Sequence, residues 1–289
     1  MIGTLLPRSY LYVPGNATEK LAKALTRGAD ALVIDLEDSV PSASKAVARS
    51  GIRSWLESIE DTNATEVWIR VNPGEMRWED IEALHSLRWL TGFVLAKTEA
   101  SEEVARCARM LAELGDDQSL LMPLLETAAA ILDSRLIASQ PRVRQLQIGE
   151  VDLAADVGMT PGPDSAELHW ARAQVVFGSS AAGIHPPVGA VSVRIDDDEG
   201  LAMSTKLMQR AGFMGRACIH PRQVTIVNEV LLPSDEEVRE AEGILLSFAD
   251  AQVRGLAVAT DSSGRMIDPA VIRNAEHTIR LYARGGRDE

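Results

Sequence analysis

Charged side chains recur just beyond short apolar runs in this sequence, and that placement is the first sign of chemistry. The run Ala31 to Leu36 carries Asp35 and leads to Glu37 and Asp38. The run Glu66 to Val71 contains Arg70 and leads to Asn72; Gly92 to Ala96 leads to Lys97, and Leu120 to Leu125 leads to Glu126. Gln145 to Ile148 precedes Glu150 and Asp152, and Ala217 to Ile219 precedes His220. Glu126 and Asp152 form a candidate divalent-cation site. Two carboxylates from neighbouring strands, with positions left for water and substrate oxygens, suit octahedral Mg²⁺. No His or Cys cluster accompanies them, which disfavours zinc. Each acid also has an ordinary structural use, Asp152 as the cap of a helix starting at Leu153 and Glu126 as a solvated strand end. Arg70 lies in a strand that reads as buried, where an unpaired charge is very costly. Its partner is either a structural carboxylate or a substrate carboxylate or thioester oxygen, which a guanidinium matches bidentately.

Other candidates carry weaker signals. Asp268 precedes Pro269 and a helical stretch, an ordinary N-cap arrangement with proline at the first helical position. His185 and His220 are each followed by proline and read as hydrogen-bonded structural histidines. Arg8, Lys20 and Lys23 can attract phosphates, although basic residues near a first helix are usually only solvated.

These residues must be positioned by the apolar runs. Eight are present, including Tyr10 to Val13 at the start and a weaker seventh at Ala182 to Ile184. Most are continuously apolar rather than alternating, as expected of parallel strands buried on both faces. Amphipathic stretches fill the gaps, with start and stop signals. Asn16 with Glu19 reads as a capping box closed by Gly28, Ser101 opens a helix ending at Gly115, and Ser234 with Glu237 opens one reaching Gly255. Strand–helix alternation predicts an α/β chain, a TIM (β/α)₈ barrel over 1–232. A helical extension over 233–289 follows, with a turn at Ser262, Ser263 and Gly264 and a last helix from Pro269. An open doubly wound sheet is the competitor, but no Gly-x-Gly-x-x-Gly follows the first strand. In such barrels chemistry gathers at the carboxyl ends of the strands, where the charged residues above fall.

Composition narrows the function classes. A chain of 289 residues fits one barrel of about 250 residues. A formal charge of −13 argues against nucleic acid as a bulk partner. No run approaches the roughly 18 apolar residues of a membrane span, and no secretory signal pattern opens the chain. Cys107 and Cys218 lack metal-like spacing and suit a reducing compartment, so a cytoplasmic protein is expected. Cys107 is expected to face the core.

The chain resembles the citrate lyase beta subunit family. The resemblance rests on RSYLYVPG from Arg8 to Gly15 with Lys20, DLEDSV from Asp35 to Val40 with Lys45 and Arg49, and IRVN from Ile69 to Asn72. It continues through Glu126 with Thr127, IGEVDL from Ile148 to Leu153, His220 with Pro221 and Gln223, and RMID from Arg265 to Asp268. The family includes malyl-CoA and citramalyl-CoA lyases. The resemblance implies a barrel assembled as a homo-oligomer, a trimer or hexamer. It implies magnesium-dependent cleavage or formation of the bond between the acetyl unit of a CoA or acyl-carrier thioester and a 2-oxo acid. By position it makes Glu126 and Asp152 the Mg²⁺ ligands, Arg70 a substrate-binding and catalytic arginine, and Glu37 and Asp38 holders of metal-bound water. Arg8 and Lys20 fall near the CoA moiety, and Asp268 becomes a catalytic residue reaching a neighbouring subunit's site. Ala96 departs from a proline common before the lysine at that position. Two rivals are an acyl-thioester hydrolase or malate-synthase-like activity on the same scaffold, and a CoA-binding subunit of a multi-chain lyase.

Overall fold

The computed structural model describes residues 6–254, 259–260 and 264–285. Eight strands, β1 (Ser9–Pro14), β2 (Ala31–Asp35), β3 (Glu66–Val71), β4 (Leu90–Leu95), β5 (Leu120–Leu125), β6 (Gln147–Ile148), β7 (Val188–Gly189) and β8 (Gly215–Cys218), close into a barrel in sequence order. Every pairing is parallel, including the closure of β8 on β1. Helices α1 (Thr18–Ala24), α2 (Lys45–Ser58), α3 (Glu75–Leu84), α4 (Ser101–Glu113), α5 (Ala128–Leu132), α6 (Ser134–Ala138), α7 (Glu150–Asp156), α8 (His169–Ala182), α9 (Asp198–Ala211) and α10 (Pro221–Val230) connect them. The predicted TIM barrel is therefore the fold.

The barrel interior is a packed core, as the apolar runs require. Tyr10, Ala31, Val33, Trp68, Val94, Met122, Leu124 and Val188 interlock there. Several polar atoms inside are paired in short chains: Gln145 Nε2 donates to Tyr10 Oη at 2.6 Å, and Tyr12 Oη donates to Gln147 Oε1 at 3.0 Å, whereas the buried Gln145 Oε1 accepts no hydrogen bond among the described residues. Trp68 Nε1 donates to Glu66, which also binds Arg144 at 2.7 Å. Cys107 is fully buried, as expected of a core filler.

Two local expectations are corrected. Ala182 to Ile184 is not a strand. The end of α8 occupies it, and Gly183 at φ +71° stops the helix with Gly183 N–H and Ile184 N–H returning to Ser180 and Ser179 carbonyls. The seventh strand is Val188–Gly189, past the two prolines. The Asn16–Glu19 capping box does not form either; Ala17 stands at the N-cap with no side-chain bond.

Contacts divide the chain between Asn228 and Glu229. The unit beyond it pairs α11 (Asp235–Val253) with α12 (Pro269–Gly285) and holds a two-stranded ribbon of β9 (Ala259–Thr260) and β10 (Met266–Ile267). The Ser234–Glu237 capping box is formed. The turn expected at Ser262 and Ser263, the helix end at Gly255 and the terminal Gly286 to Glu289 lie outside the described residues.

Candidate active site at the carboxyl ends of the strands

Asp35 and Arg70 end adjacent strands in direct register, so their side chains meet. The contact is bidentate, Nε to Oδ1 at 2.7 Å and Nη2 to Oδ2 at 2.8 Å. Asp35 also accepts the Glu37 N–H at 2.8 Å and the Ser39 N–H at 3.1 Å, which folds the following loop back over the pair. Burial alone would raise the Asp35 pKa; Arg70 and these N–H groups outweigh it and lower it. The remaining guanidinium nitrogen, Nη1, lies 2.8 Å from Glu37 and 3.3 Å from Asp38, and the Tyr12 ring packs 5.3 Å from the guanidinium carbon. Glu37 Oε2 is buried and accepts no hydrogen bond of good angle despite that approach. Burial, with Asp38 adding to it, raises the Glu37 pKa.

Behind this loop runs a buried relay. Lys45 Nζ donates to the Leu36 carbonyl at 2.9 Å, the Glu37 carbonyl at 3.0 Å and Asn72 Oδ1. Asn72 in turn donates through its amide and backbone N–H to Asp80 at 2.7 and 2.8 Å, and Arg49 closes the chain on Asp80 at 2.6 Å. The relay ties α2 and α3 to the segment carrying Glu37.

Glu126, just past β5, is buried rather than a solvated strand end. Its Oε2 accepts the Lys97 N–H at 2.9 Å. Its side chain lies across Gly149, where an added Cβ would come within 2.5 Å of Glu126 Cγ, so only glycine leaves the carboxylate in place. Burial, joined by the negative charges of Asp152 and Glu37, pushes its pKa up to about 7. Asp152 is exposed in the first turn of α7. That helix begins at Glu150 with Gly149 at its N-cap and no side-chain cap, so Asp152 is not a cap. Lys97 reaches Glu37 Oε1 at 3.1 Å.

Several residues read from the sequence fall elsewhere. Arg8 is corrected: it precedes β1 at the opposite rim, where it pairs with Asp30 at 2.8 and 3.1 Å, and it is 5% exposed. An arginine so committed at the amino-terminal end is not placed to meet a ligand at the carboxyl ends. Glu150 turns to Arg172 of α8 in a bidentate pair at 2.6 and 2.8 Å. His185 stays beside Arg144 and Glu66. Lys20 is exposed on α1 and lines a cavity of about 350 Å³ with Lys23, Arg27, Tyr12, Ile219 and His220. Asp268 caps α12, accepting the Ala270 and Val271 N–H groups at 2.8 and 2.9 Å. The sequence reading did not single out Asp80 or Tyr12. Asp80 sits within a helix that buries Arg77 and Asp80 alongside Ile81 and Leu84, and Tyr12 sits within a strand, and neither position carries a local signal for a polar role.

Among the described residues no three His, Cys, Asp or Glu side chains converge closely enough to enclose a metal. Two carboxylates nonetheless fit Mg²⁺, which keeps several waters and rarely takes an all-protein cage. Burial first, and the charges of Asp152 and Glu37 after it, disfavour the ionised Glu126 carboxylate, and a cation bound there would favour it.

A closed parallel barrel that gathers buried acids and bases at its carboxyl-terminal mouth has the build of a (β/α)₈ enzyme. Comparison with known proteins gives the family: residues 8–221 match HpcH/HpaI aldolase/citrate lyase, and the chain belongs to it. Its members are generally carbon–carbon lyases, and some are thioesterases. The human mitochondrial citramalyl-CoA lyase is 30% identical over 95% of this chain and 85% of its own length. A (3S)-malyl-CoA thioesterase of Cereibacter sphaeroides is 29% identical over 94% of this chain and 93% of its own. Among solved structures, CitE of Mycobacterium tuberculosis in complex with magnesium, acetoacetate and coenzyme A superposes with a TM-score of 0.79 at 27% identity, covering 96% and 98% of the two chains. No described helix is long and apolar enough to cross a membrane.

Two outcomes test this site. With Glu126 at about 7 against an ordinary value of 4.5, the folded chain keeps a proton that the unfolded chain releases between those values. Stability of the metal-free chain therefore falls as pH rises from about 4.5 to about 7 and levels off above. Thermal unfolding in chelator should show that fall, Mg²⁺ should reverse it increasingly as pH passes 7, and Glu126→Gln should abolish both; an unchanged profile in the variant would refute the assignment. Lys45→Met removes three buried charged hydrogen bonds and should cost on the order of 3 kcal/mol in denaturant unfolding.

Proposed function

We propose that this chain is a magnesium-dependent carbon–carbon lyase acting on a CoA thioester whose acyl group carries a hydroxyl and a carboxylate on the same carbon, as malyl, citramalyl and citryl thioesters do. The observation that carries the reading is the acid excess at the barrel mouth. Glu126, Asp152 and Glu37 share one electrostatic field beside Arg70 and Lys97. Bound between Glu126 and Asp152, Mg²⁺ would supply Lewis-acid polarisation of substrate oxygens, with Glu37 and Asp38 accepting hydrogen bonds from its waters.

As the substrate's hydroxyl gives its proton to solvent water, its O–H electron pair forms the carbonyl of the oxo acid, the bond between the hydroxyl-bearing carbon and the α-carbon of the thioester breaks, and that bond's electron pair passes to the thioester. The products are a 2-oxo acid and a thioester enolate. Arg70, held rigid by Asp35, sets a fixed positive charge beside the developing negative charge, a role worth on the order of 10²–10³ in turnover. The enolate then takes a proton at carbon to become the acetyl thioester. Asp268 of a second copy of the chain delivers that proton in cleavage and removes it in synthesis, a contribution of roughly 10²–10⁴. Lys20 and Lys23 of α1, with Arg27 in the turn beyond it, line one cavity and offer their charges to the CoA phosphates.

The thioesterase among the relatives supports a second reading on the same site, in which water captures the thioester carbonyl. Product analysis separates them: lyase activity yields acetyl-CoA with a 2-oxo acid, and hydrolysis yields free CoA.

Asparagine caps helices as well as aspartate does. Asp268→Asn should therefore leave the melting temperature unchanged while lowering turnover about 10²-fold or more, as measured on malyl- and citramalyl-CoA with Mg²⁺. If Asp268 completes the site of another copy, co-refolded Arg70→Ala and Asp268→Asn chains should regain part of the wild-type activity that neither possesses alone. Mixed assemblies as inactive as their parents would place both residues in one chain's site.

A further inference from the structure

Lys97 stands at the turn after β4 in the left-handed conformation, φ +49°. That region suits glycine or asparagine and disfavours other side chains. The backbone around it is fixed from several directions. Its N–H donates to Glu126 Oε2 at 2.9 Å, Thr98 Oγ1 donates to the Leu95 carbonyl at 2.8 Å, and Arg77, itself 2% exposed, donates to the Ala96 carbonyl at 2.6 Å. A glycine would serve that backbone with less strain. Strain retained at a functional rim marks the side chain as the part in use.

The ammonium reaches Glu37 Oε1 at 3.1 Å, yet the Lys97 side chain is 42% exposed. Arg70 is different. Its side chain is 11% exposed, Nε and Nη2 are committed to Asp35, and Nη1 faces Glu37 and Asp38. Of Arg70 and Lys97, the lysine is the more open to an entering anion, and its three donors leave capacity beyond Glu37.

We propose that Lys97 receives the carboxylate of the oxo-acid portion of the substrate, while its backbone N–H independently positions Glu126. This assignment deepens the lyase reading and rests on it. Lys97 is then a substrate-binding residue that sets the preference for a carboxylate-bearing acyl group, and Glu37 holds it in place before the ligand arrives.

The experiment compares wild type with Lys97→Gly, Lys97→Met and Lys97→Arg. Calorimetry measures Mg²⁺ binding to each chain, then oxaloacetate binding to the Mg²⁺-loaded chain. Lys97→Gly keeps the backbone turn, so Mg²⁺ affinity should stay within about twofold, whereas oxaloacetate should bind about tenfold more weakly or worse. Lys97→Met should lose oxaloacetate binding similarly, Lys97→Arg should recover most of it, and KM for the acyl thioester should rise more than kcat falls. Wild-type oxaloacetate affinity in Lys97→Gly would overturn the proposal, as would parallel loss of Mg²⁺ and oxaloacetate, which would assign Lys97 to positioning Glu126 alone. Failure of the Mg²⁺-loaded wild type to bind oxaloacetate, pyruvate or acetoacetate would instead overturn the lyase reading, and this assignment with it.

Discussion

The bidentate contact between Asp35 and Arg70 is the constraint from which the rest of the barrel mouth follows. Two charges removed from water are costly, and their attraction offsets that cost only with good geometry and with their remaining hydrogen-bonding capacity filled. The register of two adjacent parallel strands supplies the geometry, and the Glu37 and Ser39 N–H groups fill the carboxylate. In satisfying Asp35, the chain turns sharply after β2 and sets Glu37 and Asp38 beside the guanidinium. Removing Arg70 would leave the buried Asp35 carboxylate without its ionic partner, at about 3–5 kcal/mol.

The mouth divides into a committed part and an open part. Asp35, Arg70, Lys45, Asn72, Asp80 and Arg49 are tied to one another and form a rigid floor on β2, β3 and their helices. Glu126, Asp152 and Lys97 keep chemical capacity in reserve. Glu126 is buried and shifted towards neutrality, Asp152 is exposed, and Lys97 is held through Glu37 and its own backbone. Preorganised surroundings with a few uncommitted polar groups are what a site needs in order to stabilise charge that appears only during reaction. The membership of the aldolase/citrate lyase family agrees with this division, and lyases and thioesterases in that family place different chemistry on related chains.

The segment beyond the barrel has its own core, in which Ala251, Ala259 and Ile267 pack with Ile244, Phe248, Val271 and Ile272. Asp268 sits at the start of its last helix with two backbone N–H groups bonded to one carboxylate oxygen, Oδ1. Capping therefore occupies one oxygen and leaves Oδ2 outside those bonds, which reconciles a structural cap with a proposed chemical role.

What the sequence determined alone was the repeating alternation of buried strand and amphipathic helix. Hydrophobic periodicity is a local property, so the barrel, Glu66–Val71, Leu120–Leu125 and the Ser234 capping box were legible in it. The position of acids just beyond the apolar runs was legible for the same reason. The pairing of those acids was not. Arg8 and Arg70 look alike as arginines beside apolar runs, but one precedes its strand and meets Asp30 while the other ends its strand and meets Asp35. Glu150 and Asp152 are two residues apart, yet helix geometry turns the first to Arg172 and leaves the second near Glu126. The seventh strand was misplaced because a three-residue apolar run ending in Gly-Ile serves a helix terminus as readily as a strand. Only the closed barrel decides such cases, because electrostatic partners and burial depend on which strands become neighbours in space.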